Sequence, residues 1–185
     1  MLNRAISAGE SRLGVVGLPC QMGALTRMRL MNPDGEERSS CIGLKIGLFC
    51  TWAIDYRQLE AFLKREEIEG PVKKYDIPPP PAEKFKLQTE KGWIDFPLSD
   101  IREFVQKGCL LCQDMTAECA DISVGAVEGQ DEWNTVVVRT GVGSQIVNAA
   151  IKHGWLETDH LPEENLDHLK EASLNKRKRA KKLKL

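Results

Sequence analysis

The chain has 185 residues, with 26 basic and 27 acidic side chains and a formal net charge of −1. That length suits one well-buried domain, the near-neutral balance excludes the basic excess of a general nucleic-acid binder, and no apolar run nears the ~20 residues of a bilayer span. The opening "MLNRAISAGESRLG" has neither the apolar core nor the small-residue cleavage site of a signal peptide, so a cytoplasmic location is expected. There, six cysteines are more often metal ligands or free thiols than disulfides.

Leu2–Ala8 reads as the end of a helix feeding the strand "RLGVVGLP". That strand is apolar on both faces, as a buried parallel strand is, and is closed by Gly17 and Pro19. A helix over about Met22–Met31 follows, then the turn "NPDGEERSS" and the strand "CIGLKIGLFC". Tyr56–Glu66 places Leu59, Phe62 and Leu63 on one helical face. This β-α-β-α order implies parallel strands joined by right-handed crossovers.

The four prolines of "YDIPPPPAEKF" predict a stiff, extended connector. "KFKLQT" and "WIDFPL" flank an "EKG" turn as a hairpin, and Ser99 is expected to cap a helix running through Val105. After "KGCLLCQD" and the short segment "DMTAECADISVG" come the strand "NTVVVRT", a helix from about Ser144 to His153, and a long polar helix from Glu163 to the end. The expected fold is α/β, a mixed and partly parallel sheet with flanking helices and a long C-terminal helix. Residues 1–160 form the main domain and 161–185 a basic tail. The run "NKRKRAKKLKL" reads as a solvated helix end, with docking to an acidic partner subunit and then contact with nucleic acid as the other readings. The four tryptophans are expected in core or hairpin packing, and His153, His160 and His168 lack metal-ligand spacing.

Cys109 and Cys112 form a C-x2-C pair, which needs partners or a reason to stand alone. Cys20 and Cys50 each follow an apolar strand, and in an open parallel sheet the carboxyl ends of strands share one rim. Neighbouring strands lie about 5 Å apart, so those two thiols have one structural address, which the C-x2-C segment is able to cap. Cys41 begins the strand that Cys50 ends and is therefore some ~30 Å from it if the strand stays extended. Cys119 reads as a packing residue beside Ala117 and Ala120. Four thiolates suit a tetrahedral zinc or a cubane cluster; a redox disulfide, or no site at all, also fits the spacing.

At these residues the sequence resembles a known family. "GLPCQ" followed by "ALTRM", then "KIGLFC", "GCLLCQDMTAECADISVG" and "EWNTVVVRTGVG" are similar, in order and from about Leu13 to Thr158, to the C-terminal domain of the beta subunits of coenzyme F420 hydrogenase and dehydrogenase. "PPPPAEKF" and "DMTAE" look most like the formate dehydrogenase branch. The resemblance implies an iron–sulfur flavoprotein subunit. It would move electrons between a catalytic hydrogenase or formate dehydrogenase subunit and coenzyme F420, or a similar hydride carrier such as NAD(P)H, through FAD and a 4Fe–4S cluster. It places the cluster ligands on Cys20, Cys50, Cys109 and Cys112.

For the flavin, the polar ends of "WNTVVVRT" offer Asn134, Thr135 and Arg139, and "ADISVGAVEG" offers Asp121 and Ser123 beside glycines. No GxGxxG follows the first strand. Relatives in that family carry an upstream glycine-rich region that contributes to the flavin pocket. The start just before "GVVGLPC" therefore leads us to expect a fragment, a trimmed relative, or a product completed by a split N-terminal partner. A zinc-stabilised interaction module and a remnant without redox activity are the rival expectations.

Overall fold

The structure, a computed structural model, describes residues 2–31, 40–78 and 82–182. Most of the turn expected over "NPDGEERSS", most of the proline run and the last three residues of the basic tail lie outside the described residues. In chain order the elements are α1 (Leu2–Ser7), β1 (Leu13–Gly17), α2 (Pro19–Met31), β2 (Ile42–Leu48), α3 (Tyr56–Arg65), β3 (Lys74–Asp76) and β4 (Lys84–Thr89). They continue as β5 (Gly92–Pro97), α4 (Ser99–Arg102), α5 (Lys107–Leu111), β6 (Ile122–Val127), β7 (Gln130–Val138), α6 (Gly141–Lys152) and α7 (Glu163–Lys182). The architecture is the expected mixed α/β. The chain forms two compact units, one of residues 1–51 with 112–185 and the other of residues 52–111.

The first unit is built on a four-stranded sheet in the order β1-β2-β6-β7. β1 pairs parallel to β2 and β2 parallel to β6, while β6 and β7 form an antiparallel hairpin. One face is closed by Met22 of α2 with Ala117 and Ala120, and Val15, Leu25 and Cys119 pack around them. The other face carries the cross-strand row Val16, Ile46, Ile122 and Val138, of which Ile122 is buried against the start of α6 and the two ends are exposed. On it Val16 is 62% exposed and Val138 41%. β1 is therefore an edge strand with one bare face, which corrects the expectation that it is buried on both sides.

A second layer passes very close to the sheet. A Cβ built on Gly47 would lie 2.1 Å from the Ala117 Cβ, so only glycine lets the segment before β6 cross β2 at that point. The segment is then pinned by Cys50 N–H donating to the Met115 carbonyl at 2.9 Å and by Asp121 N–H donating to the Lys45 carbonyl at 2.8 Å. β6, Ile122–Val127, is a full strand inside the stretch expected only as a short segment, because its Ser and Gly residues blur the apolar pattern.

The second unit is an antiparallel meander, β3-β4-β5, against α3. β4 shows strict alternation, with Phe85, Leu87 and Thr89 buried and Lys84 exposed. Phe62 of α3 meets Phe96 and Phe104 edge-on, at ring-centroid separations of 5.0 and 5.8 Å. β3 adds a strand to the expected hairpin. Ser99 does not cap α4: Leu98 holds the cap position in helical conformation, and the Ser99 hydroxyl turns to Asp100. The helix stops at Arg102 because Val105 leaves it to bridge Ile54, while Ile101 and Phe104 are drawn into the core.

α3 carries a side-chain cap. Asp55 accepts the backbone N–H groups of Arg57 and Gln58, and the Gln106 amide donates to its second oxygen. The Gln58 N–H, helped by Gln106 and Arg57, holds the Asp55 carboxyl below its ordinary pKa.

Two outcomes are expected. Gly47→Ala should cost about 1–3 kcal/mol in denaturant unfolding, the range for forced overpacking. For Asp55, whose folded pKa is depressed, the cap's contribution is present above the ordinary carboxylate range and is lost as pH falls through the folded value. Thermal melts against pH should therefore show a weaker acid-side decline in Asp55→Asn than in the parent chain.

Candidate functional site

The rim at the carboxyl ends of β1 and β2 is set by register. Gly17 pairs with Gly47, and Cys20 and Cys50 each lie three residues further on. Cys20 is exposed and falls in the first turn of α2, which begins at Pro19, three residues earlier than the pattern predicts. The Gln21 side chain reaches back to accept the Leu18 N–H at 2.8 Å, half of a capping box that fixes this turn. Cys50 is half-buried and its N–H bonds the Met115 carbonyl, so the chain just after Cys112 lies against the Cys50 segment. The half-buried Cys112 thiol donates to the Asp114 carbonyl at 3.4 Å.

Cys109 belongs to the second unit, on α5. Its sulfur accepts the Ala53 N–H at 3.3 Å, a contact that withdraws negative charge from a thiolate. Among the described residues, no three cysteine, histidine or carboxylate side chains are already gathered as a metal site. The donor chemistry fits iron: four thiols, of which Cys50, Cys109 and Cys112 are partly shielded from water and Cys109 is supplied with an N–H donor, while Cys20 is exposed. Cys119 sits in the packing around Met22 and Ala120, as expected.

Three of the residues expected as flavin contacts are engaged in internal bonds. Arg139 donates to the Ser123 hydroxyl at 3.1 Å and to the Thr116 hydroxyl and carbonyl at 2.8 and 3.1 Å. Ser123 has no exposed surface and donates in turn to the Ala117 carbonyl. Asp121 accepts the Lys45 N–H at 2.7 Å through one oxygen and the Thr140 hydroxyl at 2.8 Å through the other. Thr140 also caps α6 by accepting the Gly143 N–H. A Cβ on Gly143 would lie 2.4 Å from the Asp121 carbonyl oxygen, so this glycine lets α6 begin against Asp121. The group ties β2, β6, the Thr116 segment and α6 together.

Asn134 and Thr135 are placed differently. Both line a cleft of about 410 Å³ whose wall is β7, with Trp133, Val136, Val138 and Val147 contributing apolar surface. The stretch from Glu157 to Leu161 closes its far side with Asp159 and His160. That size and mixture match an organic-ligand site.

Sequence reasoning read Trp133, at the start of "WNTVVVRT", as core or hairpin packing and gave the 157–161 stretch no role, yet both line the cleft. It also missed Lys176, hidden in a basic run yet only 3% exposed. Of the remaining aromatics, Trp155 is 77% exposed and stacks on His153 rather than packing in a core.

Residues 10–164 match the family model for the C terminus of the coenzyme F420 hydrogenase/dehydrogenase beta subunit. The coenzyme F420 hydrogenase subunit beta of Methanosarcina barkeri is 33% identical over 160 residues, covering 85% of this chain and 54% of that protein. Its counterpart from Methanothermobacter thermautotrophicus is 31% identical, covering 98% and 66%. A coenzyme F420-dependent sulfite reductase from Methanocaldococcus jannaschii is 32% identical, covering 83% and 26%. A chain in the structure of the F420-reducing NiFe hydrogenase complex of Methanosarcina barkeri superposes with a TM-score of 0.86 at 31% identity, over 98% of this chain and 63% of that one. The chain thus spans about half to two thirds of the length of the hydrogenase beta subunits it matches. With a shared fold, a shared motif order and identity sustained over most of its length, the chain belongs to the family of coenzyme F420 hydrogenase and dehydrogenase beta subunits, through their C-terminal region.

Proposed function

We propose that this chain is the C-terminal part of an electron-transfer subunit of an F420-linked oxidoreductase. Cys20, Cys50, Cys109 and Cys112 hold a 4Fe–4S cluster, and FAD is seated in the cleft lined by Asn134 and Thr135. The observation that carries the reading is the register of β1 and β2, which gives Cys20 and Cys50 matching positions on one sheet rim, with the Met115 segment bonded to it. Cys109 joins the set through its two-residue separation from Cys112. Support for the substrate comes from relatives named for coenzyme F420 with different partner reactions, hydrogenase and sulfite reductase. The partner is a catalytic hydrogenase-type subunit; a formate dehydrogenase subunit rests on the sequence resemblance alone.

When bound, the flavin and the cluster supply the exchange between a two-electron hydride carrier and single electrons. The protein's own residues do the rest. The four sulfurs would hold the iron, and the Ala53 N–H on the Cys109 sulfur would withdraw charge from it, favouring the reduced state. Asp121, Ser123 and Arg139 brace the strand ends from which the cleft wall rises. Val136, Val138 and Val147 give the cleft apolar surface that would shield a ring from water, and Asn134, with Thr135 beside it, would offer hydrogen bonds to orient it.

Anaerobic reconstitution with iron and sulfide should give brown protein with about four irons per chain. Cys109→Ala and Cys50→Ala should lose that iron and Cys41→Ala keep it. Colourless protein binding one zinc, or full iron in Cys109→Ala, overturns the ligand set. In a fluorescence titration with FAD, Val136→Trp should fill the cleft and weaken binding about tenfold or more, the loss expected from a blocked apolar contact surface. Undiminished FAD binding in that variant would place the flavin elsewhere.

A further inference from the structure

Lys176 is 3% exposed, on a helix whose neighbouring side chains are mostly in water. It belongs to the inward stripe of α7, at helical spacing with Asn165, Leu169, Ala172 and the fully buried Ala180. Its ammonium donates to the Cys50 carbonyl at 2.6 Å and to the Asp114 carbonyl at 2.7 Å. The Asp114 carbonyl is also the acceptor of the Cys112 thiol. One cation therefore joins the two cysteine-bearing segments of the first unit.

A second set of contacts supports the same junction. Arg177 pairs with Glu118, whose N–H donates to Asp114 Oδ2 at 2.9 Å. Both acceptors of Lys176 are neutral carbonyls, so these bonds engage two of its three donors without cancelling its charge. A buried cation is costly unless negative charge lies near it; Asp114 itself carries a carboxylate with one oxygen buried and unpartnered, and thiolates on Cys50 and Cys112 would add to that charge. Lys176 lies beyond residues 10–164, outside the stretch that matches the family model.

We propose that Lys176 is a positioning residue that clasps the Cys50 and Cys112 segments together and supplies the positive charge against which their thiolates are stabilised. The electrostatic half rests on the reading of these two cysteines as cluster ligands; the clasp does not.

The test uses the full chain with Lys176→Met and Lys176→Arg. In metal-free protein, hydrogen exchange at the Cys50 amide should quicken about tenfold in Lys176→Met, the scale of one lost charge-assisted hydrogen bond, and return towards the parent rate in Lys176→Arg. Unchanged exchange in Lys176→Met overturns the clasp whether or not the protein takes up iron. In iron-reconstituted protein, Lys176→Met should shift the midpoint potential to more negative values and Lys176→Arg should restore it, a pattern that packing alone would not produce. An equal potential at equal iron content overturns the electrostatic role. Should Lys176→Met fail to fold, Lys176→Gln, which keeps a donor and drops the charge, reads the same potential: a negative shift supports the role and no shift overturns it. A parent chain that binds no iron fails the ligand reading, and the exchange measurement still decides the clasp.

Discussion

The first unit depends on the near-contact between Gly47 and Ala117. A strand with any larger side chain at that position would hold the following layer away from the sheet. Because it does not, the segment after Cys112 runs flat across β2. Its backbone meets Cys50 at one end and Lys45 at the other. Ala117 accepts a positive φ of 55° to make the crossing, a strained conformation for a residue with a Cβ. The strain is held by complete burial of its methyl and by the Ser123 hydroxyl on its carbonyl.

Two polar groups fasten the two ends of this crossing. At the start of β6, Asp121, Ser123, Arg139 and Thr140 share hydrogen bonds among β2, β6, the segment and α6. At the other end Lys176 and Arg177 bring in α7, which also holds the β6–β7 turn through Asn165 and His168 on Glu128. Both junctions engage donors and acceptors that the sheet ladder leaves over, but at the second Asp114 Oδ1 is buried without a hydrogen-bond partner. On the opposite face Val16 is exposed at the edge strand, while Val138 borders the cleft that α6 and residues 157–161 help to line.

Residues that carry a site's chemistry and residues that brace it are hard to tell apart by type. Asp, Ser and Arg at a strand end suit a cofactor as well as they suit each other, and here Asp121, Ser123 and Arg139 are used internally. Asn134 is exposed beside the cleft instead, while the adjacent Thr135 lines it but is itself 9% exposed. The difference comes from the β6–β7 register, which sets Asp121 opposite Arg139 at the hairpin's open end and Asn134 opposite Ala126 near its turn. Sequence spacing contains no record of that register.

The sequence by itself determined the strands that end before Cys20 and Cys50, the α3 face of Leu59, Phe62 and Leu63, the hairpin of β4 and β5, and the motif order that carries the family resemblance. These are local patterns, readable because burial on one face imposes a period on consecutive residues. It misjudged β6, whose small residues serve close packing rather than apolar display, and the helix at Ser99, which ends where Val105 finds a bridge partner. It also gave the basic tail no inward side, since Leu166 and Leu174 are exposed while Lys176 is buried. Tertiary structure alone decided that, because a lysine is drawn inside when carbonyls from distant segments are brought within reach of its nitrogen, and those carbonyls meet only after the chain has crossed β2 at Gly47.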